Sequence, residues 1–232
     1  MRLDRTDIPG GFILADARLA PVADWFEADY WKQRGAGEPI GRGRGLAVSA
    51  GADEHWVLRH YHRGGLPGRL IADSYLWRGD TVTRPARELR LLAQLAENGA
   101  SVARPVAARV LRSGLRYRGD ILTERIADAR TLGACADALG SEDWARVGAA
   151  IRRFHDAGGW HADLNAHNLL LSPAGAFVID LDRGRIVPPG TACQQRNLDR
   201  LERSLAKLGL LPAAANGWRA LLSAYRNPHP TP

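Results

Sequence analysis

The fold of this chain is decided by the stretch Trp160-His161-Ala162-Asp163-Leu164-Asn165-Ala166-His167-Asn168 and its continuation Phe177-Val178-Ile179-Asp180-Leu181-Asp182. Asp163 and Asn168 lie five positions apart, and Asp180 follows Asn168 after twelve more. The intervening residues form an apolar run, a turn at Pro173-Ala174-Gly175 and a second apolar run, which predicts a β-hairpin. Because a hairpin returns the chain to its starting point, we expect Asp180 to reach the same cleft as the other two side chains.

These three side chains are the set that phosphoryl transfer requires, since such a site mainly aligns an acceptor hydroxyl and neutralises phosphate charge. The five-residue interval is that of the kinase catalytic loop H-x-D-x-x-x-x-N. Asp163 is predicted to be catalytic, because it can accept the proton of the acceptor hydroxyl or orient that group. Asn168 and Asp180 are predicted to bind Mg²⁺ through hard oxygen atoms. Solvated loop residues would explain either motif alone, whereas both motifs in order favour a kinase-like site that uses ATP and Mg²⁺.

The two aspartates of the second motif differ in how much the sequence says about them. Asp180 lies between two apolar residues, where a buried carboxylate would be costly without a cation or hydrogen-bond partners. This favours a metal ligand over a satisfied core carboxylate. Three roles of Asp182 stay open: it could support the metal ligands, bind a second metal, or form an ion pair with Arg183 or Arg185.

A further pair of charged residues is predicted in the first half of the chain. Arg59 lies in a strand-like segment, and Glu88 lies in the following predicted helix on the face that carries three leucines. An acid on an apolar face requires a cationic partner. We therefore predict that Arg59 pairs with Glu88, as a strand lysine pairs with a helix glutamate to position phosphates in kinases. A local pair of Glu88 with Arg84, four residues earlier, is the alternative.

A glycine-rich segment and a set of histidines carry weaker signals. The segment Gly41-Arg42-Gly43-Arg44-Gly45 precedes the first predicted strand, where a loop that covers phosphates belongs. Gly41, Gly43 and Gly45 are therefore predicted, with Arg59 and Glu88, to bind the nucleotide; a flexible turn is the alternative. His155, His161 and His167 are evenly spaced, but a helix, a loop start and a loop interior would point them differently, so no zinc site is expected.

The order of elements predicts an α+β, two-lobed protein-kinase-like fold. The N-terminal lobe, residues 1–124, would be an antiparallel sheet with one main helix, and the C-terminal lobe, residues 125–232, would be short and mostly helical. The predicted elements are strands within 45–61, a helix from about Arg84 to Asn98, two or three short strands between Val102 and Glu124, a helix from about Glu142 to Ala157 with Ser141 as its cap, and a last amphipathic helix from about Gln195 to Leu208.

Composition limits the partners and the compartment. The formal net charge is +7, and Lys32 and Lys207 are the only lysines, so arginine carries nearly all of the positive charge. Such an excess favours anionic partners, including an acidic membrane surface, but no basic tract indicates nucleic acid. Two cysteines, Cys135 and Cys193, suit a reducing compartment. The first residues have no apolar signal core and no apolar run is long enough to span a bilayer, so we expect a cytoplasmic protein with peripheral membrane contact.

With these residues in place, the chain resembles the 3-deoxy-D-manno-octulosonic acid (Kdo) kinases, in the lipopolysaccharide-kinase branch of the protein-kinase-like superfamily. The resemblance runs from about Tyr30 to Leu208. Besides the two motifs above, it rests on Leu58-Arg59-His60-Tyr61-His62-Arg63-Gly64-Gly65-Leu66, Tyr75-Leu76-Trp77-Arg78-Gly79, Thr83-Arg84, Asn197-Leu198, Arg200-Leu201 and Arg203-Ser204-Leu205. Two positions depart from kinases in general: Arg59 replaces the phosphate lysine, and Asp182 replaces the glycine of D-F-G.

The resemblance implies ATP-dependent phosphorylation of the 4-hydroxyl of Kdo on a lipid A precursor (Kdo-lipid IVA), at the cytoplasmic face of the inner membrane, with Asp163 as the active-site aspartate. Alternatives are a kinase for another small-molecule or lipid-linked hydroxyl, such as an inner-core heptose or an aminoglycoside, and a catalytically inactive kinase-like binding module. Aminoglycosides are cationic, so the arginine-rich composition disfavours them. Retention of Asp163, Asn168 and Asp180 disfavours an inactive module. The sequence does not indicate an oligomeric state.

Overall fold

The chain divides into two compact units. The computed structural model describes residues 1–40, 47–62, 73–190, 192–211 and 215–227. The first unit comprises Met1–Ala93 and Arg104–Arg125, and the second comprises Gln94–Ala103 and Ile126–Pro232. The main division thus falls one residue after the predicted boundary at 124, and a short segment of the predicted first lobe belongs to the second unit.

The first unit is built on a fully antiparallel sheet. Its strands are β1 Leu3–Ile8, β2 Gly11–Asp16, β3 Pro39–Ile40, β4 Ala47–Ala50, β5 Trp56–His60, β6 Tyr75–Leu76, β7 Pro105–Ser113 and β8 Arg116–Glu124. They pair in the order β1-β2-β7-β8-β5-β4-β3, and β6 also pairs with β8. The predicted hairpin of β4 and β5 is present, and Val102 to Glu124 contains two long strands.

One face of this sheet is covered by aromatic side chains from the segment before β3. Phe26, and Trp31 from the short helix α1 (Ala28–Lys32), are buried against Ile13, Leu58 and other apolar side chains of the sheet. Successive side chains of a strand point to opposite faces. Because Leu58 points into this cluster, Arg59 points to the other face of the sheet.

The predicted helix that carries Glu88 is α2, Arg84–Glu97. Its apolar side chains are buried, and Glu88 is buried with them at 3% exposure. Pro85 stands in the first turn, where its missing N–H breaks no helical hydrogen bond. Gly99 follows the helix with φ +83°, a conformation that ends helices readily. The prediction of this helix is confirmed within one residue.

The second unit contains most of the helices and two small sheets. Its helices are α3 Leu132–Cys135, α4 Ser141–Asp156, α5 Ala192–Lys207 and α6 Ala215–Arg226; its strands are β9 Arg130–Thr131, β10 Gly159–Trp160, β11 Leu169–Ser172, β12 Gly175–Val178 and β13 Arg185–Ile186. The predicted hairpin is β11–β12, in which Leu169 faces Val178 and Ser172 faces Gly175. β9 pairs with β11, and β10 pairs with β13.

Helix α4 forms the centre of this unit. Its buried stripe is the predicted one, Trp144, Val147, Ile151 and Phe154. The helix begins at Ser141 itself, so Ser141 is not the cap; the backbone N–H of Gly140 instead donates to the Asp143 carboxylate (3.4 Å). Helix α6 packs closely on α4 at Gly148. A Cβ added to Gly148 would lie 2.1 Å from the Leu221 carbonyl oxygen. This contact requires glycine.

Several elements were not predicted. The hairpin of β1 and β2 extends the sheet at one edge, and α1 and α6 are additional helices, so α5 is not the last helix. Helix α5 begins three residues earlier than predicted. Within the described ranges, the chain has no helix that is both long and apolar enough to cross a membrane.

Candidate active site

A buried histidine fixes the loop that carries Asp163. His161, 2% exposed, directly follows β10. Its Nδ1 accepts a hydrogen bond from the Asp163 backbone N–H (2.9 Å), so the ring proton is on Nε2, which donates to the Ile179 carbonyl (3.0 Å). Burial lowers the pKa of His161, which keeps the ring neutral. The ring therefore joins the loop to the segment that leads into Asp180.

Two amide side chains close the same loop on the Asp163 backbone. Asn168 Nδ2 donates to the Asp163 carbonyl (2.9 Å), and Asn165 Nδ2 donates to the same oxygen (3.1 Å). The Asn168 backbone N–H donates to the Asn165 carbonyl (3.0 Å). Because the side-chain nitrogen of Asn168 holds the loop, its Oδ1 is the atom that can bind a cation.

Asp180 follows directly on this arrangement. The Ile179 N–H donates to the Asn168 carbonyl (3.0 Å), so Asp180 lies one residue beyond a backbone contact with Asn168. Asp180 has φ +61° and is exposed. The argument that this carboxylate would be buried was therefore wrong, because the left-handed backbone turns it out of the apolar run that surrounds it.

The pair nevertheless fits magnesium. A carboxylate and an amide oxygen are hard ligands, and Mg²⁺ commonly takes only one or two protein ligands together with substrate phosphates. No cluster of three or more histidine, cysteine or acidic side chains able to hold a metal occurs in the described part of the chain. Asn168 and Asp180 remain the predicted ligands.

The carboxylate of Asp163 faces a groove. Arg200, on α5, donates through Nε to Asp163 Oδ1 (2.5 Å), and both side chains are about half exposed. The groove has a volume of about 440 Å³ and lies between the loop and α5. Oδ1 is used by Arg200, so Oδ2 is the atom that can face an acceptor hydroxyl. Asp163 thus has the access that proton transfer requires.

A layer of buried polar side chains supports the loop from behind. Asn197 of α5 donates through Nδ2 to the His161 carbonyl (2.6 Å), and its Oδ1 accepts from the His161 N–H (3.1 Å). The same Oδ1 lies 3.3 Å from His155 Nε2, and His155 Nδ1 lies 2.8 Å from the Tyr225 hydroxyl. Burial lowers the pKa of His155 to about 4. Neutral side chains thus connect α4, α5 and α6 beneath Asp163.

The predicted ion pair of the first unit is present. Arg59 Nη2 lies 2.6 Å from Glu88 Oε1, with the arginine side chain 27% and the glutamate side chain 2% exposed. Tyr61 donates its hydroxyl to the other carboxylate oxygen of Glu88. Arg84, the alternative partner, has its guanidinium 4.7 Å from the centre of the Tyr75 ring. That Arg59 and Glu88 position a nucleotide remains a prediction.

The predicted site residues therefore fall into three groups. Asp163, Asn168 and Asp180 are brought together within the second unit. Arg59 and Glu88 pair within the first. The predicted glycines Gly41, Gly43 and Gly45 lie outside the described residues.

Sequence reasoning missed the supporting residues Arg200, Asn197 and Tyr61. His161 and His155 were considered only as zinc ligands, although each belongs to a hydrogen-bond network under the loop. One usable signal was the polar residues of α5 at helical spacing, since Asn197 and Arg200 are three positions apart and both reach the loop.

Comparison with known proteins relates this chain to one family. Residues 28–225 match the family model described as lipopolysaccharide kinase (Kdo/WaaP) family. A protein of Stenotrophomonas maltophilia (strain R551-3), named 3-deoxy-D-manno-octulosonic acid kinase, is 48% identical over 192 residues, which are 80% of this chain and 76% of that protein. Proteins of the same name from Xanthomonas campestris pv. campestris (strain B100) and Xylella fastidiosa (strain M12) are 43% and 39% identical, over 85% and 94% of this chain and 81% and 86% of theirs.

A solved structure gives the fold. The structure titled "WaaP in complex with acyl carrier protein" matches with a TM-score of 0.55 and 17% sequence identity, over 93% of this chain and 89% of the other. At that identity the match bears on architecture alone. The predicted kinase-like fold is thereby confirmed.

Proposed function

Because the chain belongs to the lipopolysaccharide kinase (Kdo/WaaP) family and is a kinase of Kdo in lipopolysaccharide synthesis, we propose a specific reaction for it. In this reaction, the chain transfers the γ-phosphate of ATP to the 4-hydroxyl of Kdo on a lipid A precursor, Kdo-lipid IVA. The observation that carries the proposal is the half-exposed Asp163 carboxylate, which stands on a loop held by His161 and opens onto a groove.

In the proposed reaction, the acceptor hydroxyl donates its hydrogen bond to Asp163 Oδ2. As its oxygen forms the new bond to the γ-phosphorus, the bond from that phosphorus to the β,γ-bridging oxygen breaks and ADP leaves. The hydroxyl proton passes to Asp163. Positioned acid–base groups of this kind contribute about 10²- to 10⁴-fold to the rate.

The nucleotide is assigned to the remaining predicted residues. Asn168 and Asp180 would hold Mg²⁺, which, when bound, neutralises charge on the transferring phosphates. The guanidinium of Arg59 would contact the phosphates, since arginine can bind phosphate bidentately. Glu88 and Tyr61 support this role because they hold Arg59 from the buried side.

We also assign the protein to the cytoplasmic face of the inner membrane as a peripheral protein. The support is its net charge of +7 and the lipid nature of the proposed acceptor. Charges on an exposed surface are screened beyond ~8 Å at physiological ionic strength. The fraction of protein that sediments with anionic liposomes should therefore fall sharply when salt is added. A fraction that does not change with salt, or no sedimentation at low salt, would contradict this assignment.

The test of the catalytic proposal is transfer from Mg-ATP to Kdo-lipid IVA, with mass spectrometry and NMR locating the phosphate. Asp163→Ala should lower transfer about 10²- to 10⁴-fold. Asp137→Ala, which removes an exposed carboxylate elsewhere in the second unit, is the matched control. A phosphate on another hydroxyl of Kdo would overturn the 4-hydroxyl assignment. Transfer only to heptose or kanamycin would overturn the acceptor. Tight Mg-ATP binding without transfer to any acceptor would favour an inactive binding module.

A further inference from the structure

Four basic side chains form a row along one face of α5. They stand at positions separated by four, three and four residues, which places them on the same side of a helix: Arg196, Arg200, Arg203 and Lys207. The leucines Leu198, Leu201 and Leu205 are buried on the opposite side. The helix therefore packs through its leucines and presents the row of cations outward.

Three of these cations line the groove in front of Asp163. On the loop side, the groove is lined by Asp163, Asn165 and His167, and on the helix side by Arg200, Arg203 and Lys207. The part of the row inside the groove thus begins at the proposed catalytic carboxylate, which Arg200 contacts, and continues away from it along α5.

Two of the three cations have no acidic partner among the residues that the structure describes. Arg203 and Lys207 are exposed, and neither makes an ion pair with any other residue that the structure describes. Other arginines of the same unit do pair, as Arg152 pairs with Asp156. Cations that are not neutralised in a groove attract an anion to that groove.

We propose that Arg203 and Lys207 form a subsite for the carboxylate of the acceptor sugar. This rests on the proposed function, since it takes the groove as the place where the sugar hydroxyl meets Asp163. The two residues are four positions apart and, at 1.5 Å per residue, roughly 6 Å apart along the helix, so both can reach one carboxylate. The fork of the Arg203 guanidinium matches a carboxylate in shape.

The position of the subsite favours this carboxylate over the phosphates of the lipid. Arg203 is one helical turn from Arg200, which itself contacts Asp163. A carboxylate on the same sugar ring as the reacting hydroxyl can span that distance. The lipid phosphates are on the neighbouring sugars and lie farther from the hydroxyl. The subsite would distinguish an acidic sugar from a neutral heptose and from a cationic aminoglycoside.

The test uses the double variant Arg203→Gln/Lys207→Gln in the full chain, with Arg219→Gln as the matched control. Arg219 is exposed on α6 in the same unit, outside the groove. Arg200 is left intact because its contact with Asp163 makes it part of the proposed catalytic arrangement. Kinetics are measured with Kdo-lipid IVA, with the same acceptor after reduction of its carboxylate to an alcohol, and with a dephosphorylated lipid.

We expect the double variant to lose about 10- to 100-fold in kcat/KM on the intact acceptor, mainly through KM, as for loss of charged hydrogen bonds. The KM for ATP and all constants of Arg219→Gln should be unchanged. On the reduced acceptor, double variant and wild type should be equal. An equal loss on both acceptors would overturn the assignment to the carboxylate. If the loss in kcat/KM disappears only on the dephosphorylated lipid, these cations bind the lipid phosphates and not the carboxylate.

Binding of the intact and reduced acceptors, measured by calorimetry without ATP, separates this proposal from the proposed function. Wild type that binds the intact acceptor about 10-fold or more tightly than the reduced one, with the preference lost in the double variant, supports the subsite even if no phosphate is transferred. Equal binding of the two acceptors by wild type would overturn the subsite even if transfer to Kdo is observed.

Discussion

Replacing Asn197 by alanine should both destabilise the protein and slow it. Asn197 is 2% exposed and is the side chain that satisfies both backbone groups of His161, the residue that fixes Asp163. The substitution removes the amide and leaves a buried N–H and a buried carbonyl without these partners. It also removes the contact with His155 Nε2.

The magnitude follows from these contacts. A buried polar group left unsatisfied costs about 1–3 kcal/mol. Two such groups, the N–H and the carbonyl of His161, give a loss of roughly 3 kcal/mol in the free energy of unfolding, because small movements of the backbone recover part of the cost. For a chain of this length, each kcal/mol shifts Tm by roughly 2–4 °C, so Tm should fall by about 10 °C. Because His161 positions the loop that carries the proposed catalytic residue, a displacement of ~1 Å at Asp163 should lower kcat about 10²-fold.

The assay pairs thermal unfolding with turnover well below the lowered Tm. Gln195→Ala is the control: Gln195 is exposed on the same helix and bonds only to Asp199 among the described residues, so it should change Tm by little. If Asn197→Ala lowers Tm but keeps normal turnover, the loop does not depend on Asn197 for its placement. If neither changes, the two backbone hydrogen bonds do not have the importance assigned to them.

The remaining predictions concern four residues. Asp163→Ala should lower turnover about 10²- to 10⁴-fold with unchanged Tm; near-normal turnover of the folded variant would remove its catalytic role. Asp180→Asn should weaken Mg-ATP binding and turnover together, and equal magnesium-dependent affinities in calorimetry would leave it without a metal role. Glu88→Gln removes the charge that faces Arg59, so Tm and ATP affinity should both fall; a changed Tm with an unchanged Kd for ATP would make the pair purely structural. The pKa of His155 is lowered from 6.5 to about 4, so the unfolded chain binds a proton more readily. The neutral His155 ring therefore contributes roughly 3 kcal/mol to the free energy of unfolding. This contribution is complete above pH 6.5 and is lost as the pH falls towards 4. Urea unfolding of wild type and His155→Gln at pH 7 and pH 4.5 checks this, and an equal drop in both proteins would contradict it.

The parts of the site that could be predicted from sequence are those set by local spacing. The interval from Asp163 to Asn168 is short, and the hairpin turn is formed by consecutive residues. Sequence patterns within a few residues are therefore enough to predict both. The Arg59–Glu88 pair was predictable because an acid on an apolar helix face needs a cation. The exposure of Asp180 was not, since it depends on a left-handed backbone that its apolar neighbours do not indicate.

Contacts that depend on distant segments could not be predicted. Arg200 reaches Asp163 across 37 residues, and nothing local to either marks the pair. The edge strand β1, Leu3–Ile8, is mostly exposed and polar, so it lacks the alternation that marks a half-buried strand. In α6, Gly217 is buried in place of a larger apolar residue, which weakens the helical pattern.

The backbone of Asp180 has a consequence for attempts to make this protein more robust. A residue other than glycine held at φ +61° typically carries an energetic cost of ~1 kcal/mol or more, which glycine would not have. Selection for heat resistance alone would therefore favour glycine at this position and discard the carboxylate. If Asp180 binds Mg²⁺ as proposed, stabilising the protein without regard to catalysis would move it towards an inactive enzyme, so thermostable libraries of this protein should keep residue 180 fixed.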